Sequence, residues 1–214
     1  MSVCNLSALR DTEVKSSPYP YLVLKNFVNH EALAKVINDF PKLDQGGSFA
    51  LEKTDYGPAM QPIIDAFHSS EMRQIIEQKF DIDLSDRPVM ITARGFSRAK
   101  DGRIHTDSKS KLVTLLLYLN EDWNESTGNL RILNQGQSLD DYSEEVSSEG
   151  GTLLAFKVTD NCWHGYPSFE GKRQSLQINY VVSDAAANKH KVRHKIAAIC
   201  KSLFVTGKMF GAGK

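Results

Sequence analysis

The feature that most constrains folding is a change of hydrophobic period at Pro88. Before it, apolar residues recur at helical spacing. Asn29 can cap a helix over His30 to Phe40, with Leu33, Val36, Ile37 and Phe40 on one face. Pro58 to Phe67 and Ser70 to Phe80 read as two more helices, the second with Ser70 as cap and Met72, Ile75, Ile76 and Phe80 at helical spacing. After Pro88 the pattern is that of strands: Val89 to Ala93, Lys111 to Asn120, Asn129 to Leu133, Thr152 to Val158 and Arg173 to Val182. Turn clusters separate them, such as Asp101-Gly102, Glu125 to Gly128, Gly150-Gly151 and Glu170-Gly171. One earlier strand, Tyr21 to Phe27, follows Pro18 and Pro20. Helices first and short, evenly spaced strands later predict an α+β fold with a mainly β core. The matching architecture is a jelly roll, or double-stranded β-helix, with the N-terminal helices packed on one sheet.

The expected organisation is a flexible tail over 1–17, a single domain over 18–184 and a basic C-terminal helix or tail over 185–214. Within the domain, 28–80 forms helical support and 88–182 the β-helix core. The C-terminal segment holds seven Lys/Arg and no acid between Lys189 and Lys214, with Val192, Ile196, Ile199, Leu203 and Phe204 near helical spacing. A docked terminal helix with a solvated basic face is the expectation there. Its ending, Gly-Ala-Gly-Lys, lacks the upstream glycine and the following Ser/Thr of a phosphate loop. Lys+Arg 26 against Asp+Glu 26 leaves no net field, which argues against a nucleic-acid partner. Cys4, Cys162 and Cys200 make no disulfide framework. Met1 to Ser17 has no apolar core of a signal peptide. The longest apolar stretch, Leu112 to Leu119, is far short of the roughly 20 residues a transmembrane helix needs. A soluble, cytoplasmic protein with no transmembrane segment is expected, of unspecified oligomeric state.

Three features carry chemistry. His105-Thr-Asp107 comes first, His164 lies 59 residues on (164 − 105), and Arg173 nine beyond that (173 − 164). Residues i and i+2 of an extended chain point the same way, so His105 and Asp107 can grip one cation. A second imidazole, His164, completes a facial set of two His and one carboxylate. Such a set leaves adjacent positions open for a bidentate 2-oxo acid and O₂, as in non-haem Fe(II) oxygenases. Arg173 could then hold the distal carboxylate of 2-oxoglutarate, with Ser175 on the same strand face adding a hydrogen bond. Alone, a His-x-acid pair is weak: six His, each with roughly a 12% chance of an acid two residues on, give about 0.7 accidental hits. Taken singly, His105 reads as a surface histidine, His164 as a core histidine and Arg173 as a salt-bridged strand end. The ordered combination is what points to a metal centre. His30, His68, His190 and His194 are expected to be surface or packing residues.

The run Leu117-Tyr-Leu-Asn-Glu-Asp-Trp-Asn124, followed by Gly128-Asn-Leu-Arg-Ile132, resembles the Fe(II)/2-oxoglutarate oxygenases of the prolyl 4-hydroxylase superfamily. The similar branch is the hypoxia-inducible-factor prolyl hydroxylase type, over roughly Pro88 to Val182. The resemblance implies Fe(II) held by His105, Asp107 and His164, and 2-oxoglutarate as cosubstrate paired with Arg173. It also implies that the Tyr118 hydroxyl touches that carboxylate and that Leu130 walls the cosubstrate pocket. From the residues alone Tyr118 reads as a core strand tyrosine. The sequence departs from the family around the substrate side, with Ala93 to Ile104 short of aromatics, Asn179 in place of a tryptophan and Asn129 in place of a glycine.

The expected activity is a dioxygenase that hydroxylates a protein prolyl residue or a small molecule and releases succinate and CO₂. The alternative is a non-catalytic, cupin-like metal-binding or sensory β-barrel, which would have no use for Arg173. A hydrolase is disfavoured by the absence of a G-x-S-x-G elbow, with Cys162 read as a packing residue. Arg94, Arg98, Arg103, Lys109 and Lys111 flank the first ligand pair and could line a mouth or form a solvated rim. Asp140 to Glu145, within loop 134–150, reads as a solvated loop or a lid.

Overall fold

The computed structural model describes residues 2–183 and Ala185. Among these residues there are four named α-helices and nine strands; the helices are α1 (Leu6–Asp11), α2 (His30–Asn38), α3 (Gln61–His68) and α4 (Ser70–Phe80). The strands follow the order β1 (Tyr21–Leu24), β2 (Phe49–Ala50), β3 (Val89–Ser97), β4 (Lys111–Tyr118), β5 (Leu130–Leu133), β6 (Tyr142–Val146), β7 (Leu153–Lys157), β8 (His164–Gly165) and β9 (Gly171–Val181). A six-stranded sheet runs β1-β7-β4-β9-β3-β2, and a three-stranded sheet runs β6-β5-β8. Every strand pair is antiparallel. This is the expected mainly β jelly roll with helices against the large sheet.

The large sheet is buried on both faces, and this explains its unbroken apolar central strand. On β4, Val113, Leu115 and Leu117 join the core shared with Val36, Phe67, Ile75 and Phe80 of the helices. The alternate residues Leu116 and Tyr118 face a second cluster with Leu130, Ile132, Leu154 and Phe156, between the two sheets. A strand covered on one side only would alternate apolar and polar residues. The two-residue period places the polar inward positions of β9, Arg173, Ser175, Gln177 and Asn179, together on the inner side.

The helices are ended by local chemistry. Ser69, not Ser70, caps α4: its hydroxyl accepts from the Met72 N–H at 3.1 Å. Asp81 then turns left-handed (φ 45°), and Lys157 donates to the free carbonyls of Phe80 (3.0 Å) and Asp81 (3.3 Å). Asn29 flanks α2 without a side-chain cap bond.

Residues 2–17 are not a loose tail. Asn5 caps α1 by accepting from the Ala8 N–H (3.1 Å), and Leu9 is fully buried in the main core. Asn5 N–H donates to Phe27 O (2.7 Å) and Asn29 N–H to Val3 O (2.9 Å), while Lys15 and Tyr21 exchange two backbone bonds. A six-residue helix that buries one leucine carries too little periodicity to stand out in a sequence. The acidic stretch is likewise not all loop, because Tyr142–Val146 pairs with β5. Arg131 binds Glu145 (2.7 Å) and Asp140 (3.0 Å), Glu144 pairs with Lys15 (2.6 Å), and charge masked the strand signal. The expected C-terminal helix, with His190 and His194, lies outside the described residues. Among those described, no helix is long and apolar enough to cross a membrane.

Candidate metal centre and cosubstrate pocket

His105 lies between β3 and β4, and His164 opens β8. Their backbones form an isolated antiparallel bridge, N–H to carbonyl in both directions at 3.0 Å. That bridge brings two residues 59 positions apart (164 − 105) side by side, with ring centroids 4.3 Å apart. Asp107, two residues on, completes a group whose ligand atoms all lie within 4.8 Å of one another.

The hydrogen bonds settle which imidazole nitrogens are free. His105 Nδ1 donates to Arg103 O and His164 Nδ1 to Cys162 O, each at 2.8 Å. A carbonyl only accepts, so each Nδ1 carries a proton and Nε2 is the ring nitrogen left to bind a metal. Outer hydrogen bonds of this kind orient metal-binding histidines. The Asp107 carboxylate is held from two sides: Lys111 Nζ donates to Oδ1 at 2.9 Å and the Thr114 hydroxyl donates to Oδ2. Asn179 Nδ2 donates in turn to Thr114 Oγ1 at 2.7 Å, which fixes that hydroxyl's direction. Burial by itself would raise the Asp107 pKa, but Lys111 and His164 outweigh it and hold the carboxyl at about 2. Burial, then the neighbouring His105, depress His164 to about 4. Near neutral pH Asp107 is therefore a carboxylate and His164 a neutral imidazole, the protonation a divalent cation needs. The donor set fits a metal of the Fe(II) type.

A cavity runs inward from these ligands. Its lining includes His105, His164, Thr114, Tyr118, Leu130, Arg173 and Ser175. Arg173 is 5% exposed. Its Nε donates to Gly128 O at 2.8 Å, and Nη2 lies 3.5 Å from the Tyr118 hydroxyl. The guanidinium is stacked between two rings, 5.1 Å from Tyr118 and 4.3 Å from Tyr166. Gly128 has φ +82°, and a Cβ there would meet Phe169 at 3.0 Å, so glycine suits the turn that presents this carbonyl. Among the described residues no carboxylate pairs with Arg173. A buried, unpaired charge is costly unless an anion completes it. The pocket thus fits a carboxylate supplied by a ligand.

All seven residues singled out in the sequence, His105, Asp107, His164, Arg173, Tyr118, Ser175 and Leu130, converge on this one region. The flanking cations divide. Lys109 forms an exposed pair with Asp160, Arg98 pairs with Asp101 at 2.7 Å, and Lys111 serves Asp107. Arg94 and Arg103 do line the mouth. Three contributors were not singled out as site residues: Tyr166, Thr114 and the Gly128 carbonyl. Tyr166 follows His164 by two, so strand alternation could have flagged it. Thr114 and a backbone oxygen leave no sequence signal. Cys162 is buried among apolar neighbours and burial raises its thiol pKa, consistent with packing.

Residues 94–181 match the model of the 2OG-Fe(II) oxygenase superfamily. No curated protein matches the chain in sequence. Among solved structures, a Pseudomonas putida prolyl-4-hydroxylase is similar at TM-score 0.57 and 18% identity, over 83% of this chain and 94% of that one. A viral collagen prolyl hydroxylase from Paramecium bursaria Chlorella virus-1, solved with 2OG, gives 0.52 and 16%, over 75% and 96%. A Burkholderia pseudomallei oxidoreductase of the 2OG-Fe(II) oxygenase family gives 0.52 and 11%, over 83% and 92%. At these identities the structural likeness establishes the fold, and it is the jelly roll described above.

Proposed function

We propose that this chain, whose residues 94–181 form a 2OG-Fe(II) oxygenase superfamily domain, holds its iron through His105 Nε2, the Asp107 carboxylate and His164 Nε2. It is a dioxygenase that uses Fe(II), 2-oxoglutarate and O₂ to hydroxylate its substrate, with succinate and CO₂ as coproducts. The bound Fe(II) and cosubstrate supply the oxidising chemistry; the chain supplies placement, charge and exclusion of water.

Arg173 receives the distal carboxylate of 2-oxoglutarate, aided by the hydroxyls of Tyr118 and Ser175, with Leu130 closing the apolar side. The stacked tyrosines hold the guanidinium plane ready, so little order is lost when the anion arrives. Lys111 and Thr114 hold the Asp107 carboxylate in place. The peptide carbonyls of Arg103 and Cys162 keep both imidazoles turned with Nε2 toward the metal. The substrate is a protein prolyl residue or a small molecule, and a cytoplasmic setting suits the absence of paired cysteines among the described residues.

The observation that carries this reading is the buried Arg173 with no carboxylate of its own among the described residues, one cavity away from three convergent ligand atoms. A cupin-like metal binder has no need of it. Anaerobic protein loaded with Fe(II) should show a weak visible charge-transfer band on adding 2-oxoglutarate. His164→Ala should lose metal, whereas Arg173→Ala should keep metal and lose the 2-oxoglutarate response. Metal uptake with no band and no 2-oxoglutarate affinity in the wild type would leave the non-catalytic reading standing.

A further inference from the structure

A second cavity opens outward from the metal ligands and is lined by Ser48, Arg94, Lys100, Asp101, Arg103 and Lys111, together with both first-pair ligands. It shares Arg94, His105, Tyr166 and Gln177 with the cosubstrate cavity. Arg94 therefore stands where the two meet, while Arg173 belongs to the inner one alone. The charges of this mouth do not cancel. Asp107 is matched by Lys111 and Asp101 by Arg98. Arg94, Lys100 and Arg103 have no acidic partner among the described residues.

Arg94 is the informative member. It sits on β3 opposite Ser175 of β9, on the inward face that also carries Arg173 and Gln177. It is half-buried, unlike the exposed Lys100 and Arg103. The register slips just after it, between Arg94 and Phe96. The residue at the slip is Gly95, where a Cβ would lie 2.4 Å from Leu43 O. A bulge of this kind re-aims neighbouring side chains. Asp101 acts on Arg94 through charge but is itself held by Arg98, and an inward, half-desolvated guanidinium outside any ion pair gains from a ligand anion. The cosubstrate does not fill that need, because its distal carboxylate is taken by Arg173 and its other end by the metal.

Resting on the oxygenase reading of the site, we propose that the substrate carries an anionic group, a carboxylate or a phosphate, which docks on Arg94 with Arg103 at the rim. The group lies on the outer side of His105, so the carbon to be hydroxylated sits a short distance inward from it. Two guanidiniums select a planar or tetrahedral oxyanion by paired N–H donation. Their charge, in excess of the mouth's acids, also draws anions toward it, and salt weakens the effect.

The test uses the full chain loaded with Mn(II) and 2-oxoglutarate. Three probes are titrated at low and at physiological ionic strength: phenyl phosphate, N-acetyl-aspartate methylamide and its neutral asparagine analogue. The expected result is that one anionic probe binds and the neutral analogue does not. Its affinity should fall by about fivefold or more in Arg94→Gln/Arg103→Gln, a loss typical of charge-assisted hydrogen bonds. The stronger anion identifies the group as phosphate or carboxylate. Equal binding by wild type and variant, or no binding of either anion to protein that does bind 2-oxoglutarate, overturns the proposal and leaves the oxygenase reading intact. A matching loss of 2-oxoglutarate affinity in Arg94→Gln overturns it too, by assigning Arg94 to the cosubstrate. Failure of the wild type to bind 2-oxoglutarate at all removes the oxygenase reading and this proposal together. Thermal melting of the variant separates misfolding from lost contacts, and Arg94→Lys, which restores the charge without the fork, should recover part of the affinity.

Discussion

The two faces of the six-stranded sheet share the same strands and do opposite things. On β4, Leu115 and Leu117 turn toward the helices, while Thr114 and Tyr118 turn toward the second sheet and the metal ligands. On β9 the same division sets Leu176 and Ile178 against Arg173, Ser175, Gln177 and Asn179. The outer face is closed mainly by apolar side chains, with Gln174 Oε1 and the Tyr180 hydroxyl buried there, neither with a hydrogen-bond partner among the described residues. The inner face holds buried polar groups that are satisfied pairwise, except where a ligand is wanted. Stability should therefore reside in one set of alternate residues and binding in the other.

That contrast can be broken by substitution. Leu115→Ala removes a fully buried side chain from the outer face. It should cost about 2–5 kcal/mol by denaturant unfolding and leave the 2-oxoglutarate affinity of the folded protein unchanged. Leu9→Ala tests whether the N-terminal segment belongs to the same core, with an expected loss of about 2–3 kcal/mol. A loss near zero would return that segment to the status of a tail. Thr114→Val cuts the link between Asn179 and Asp107. Metal affinity should drop roughly 10-fold or more while stability moves by about 1 kcal/mol. Arg173→Met should lie at the opposite corner from Leu115→Ala. Without ligand it should melt within a few degrees of wild type or above it, because a buried unpaired charge is gone. Its 2-oxoglutarate affinity, by calorimetry, should fall by about 100-fold or more. Lys109→Ala, which breaks an exposed pair with Asp160, should change neither melting temperature nor binding.

Much of the fold was legible in the chain because local periodicity reports burial. The switch of period at Pro88 located helices and strands, and β4, β7 and β9 fell close to where their apolar runs placed them. What escaped was short or masked by charge. Leu9 is a single buried contact on a short helix, β6 reads as an acidic loop, and β8 is only two residues long. The proposed metal ligands were visible because His105, Asp107 and His164 are chemically distinctive and stand in the order and spacing such a set needs. The bonds that orient them come from Arg103 O, Cys162 O, Thr114 and Asn179, and a backbone oxygen or an ordinary threonine leaves no mark in a sequence.

By itself the sequence determined which residues could ligate, which runs would be strands and which face of each strand would be apolar, since those depend on side-chain chemistry and a period of two. Tertiary structure alone decided that Arg173 would lie buried between Tyr118 and Tyr166 with no acid paired to it among the described residues, and that Arg94 would stand at the mouth while Arg98 and Lys109 found acidic partners. The reason is distance: whether a cation is paired depends on what long-range strand pairing brings within a few ångströms, and residues far apart in the chain carry no record of that meeting.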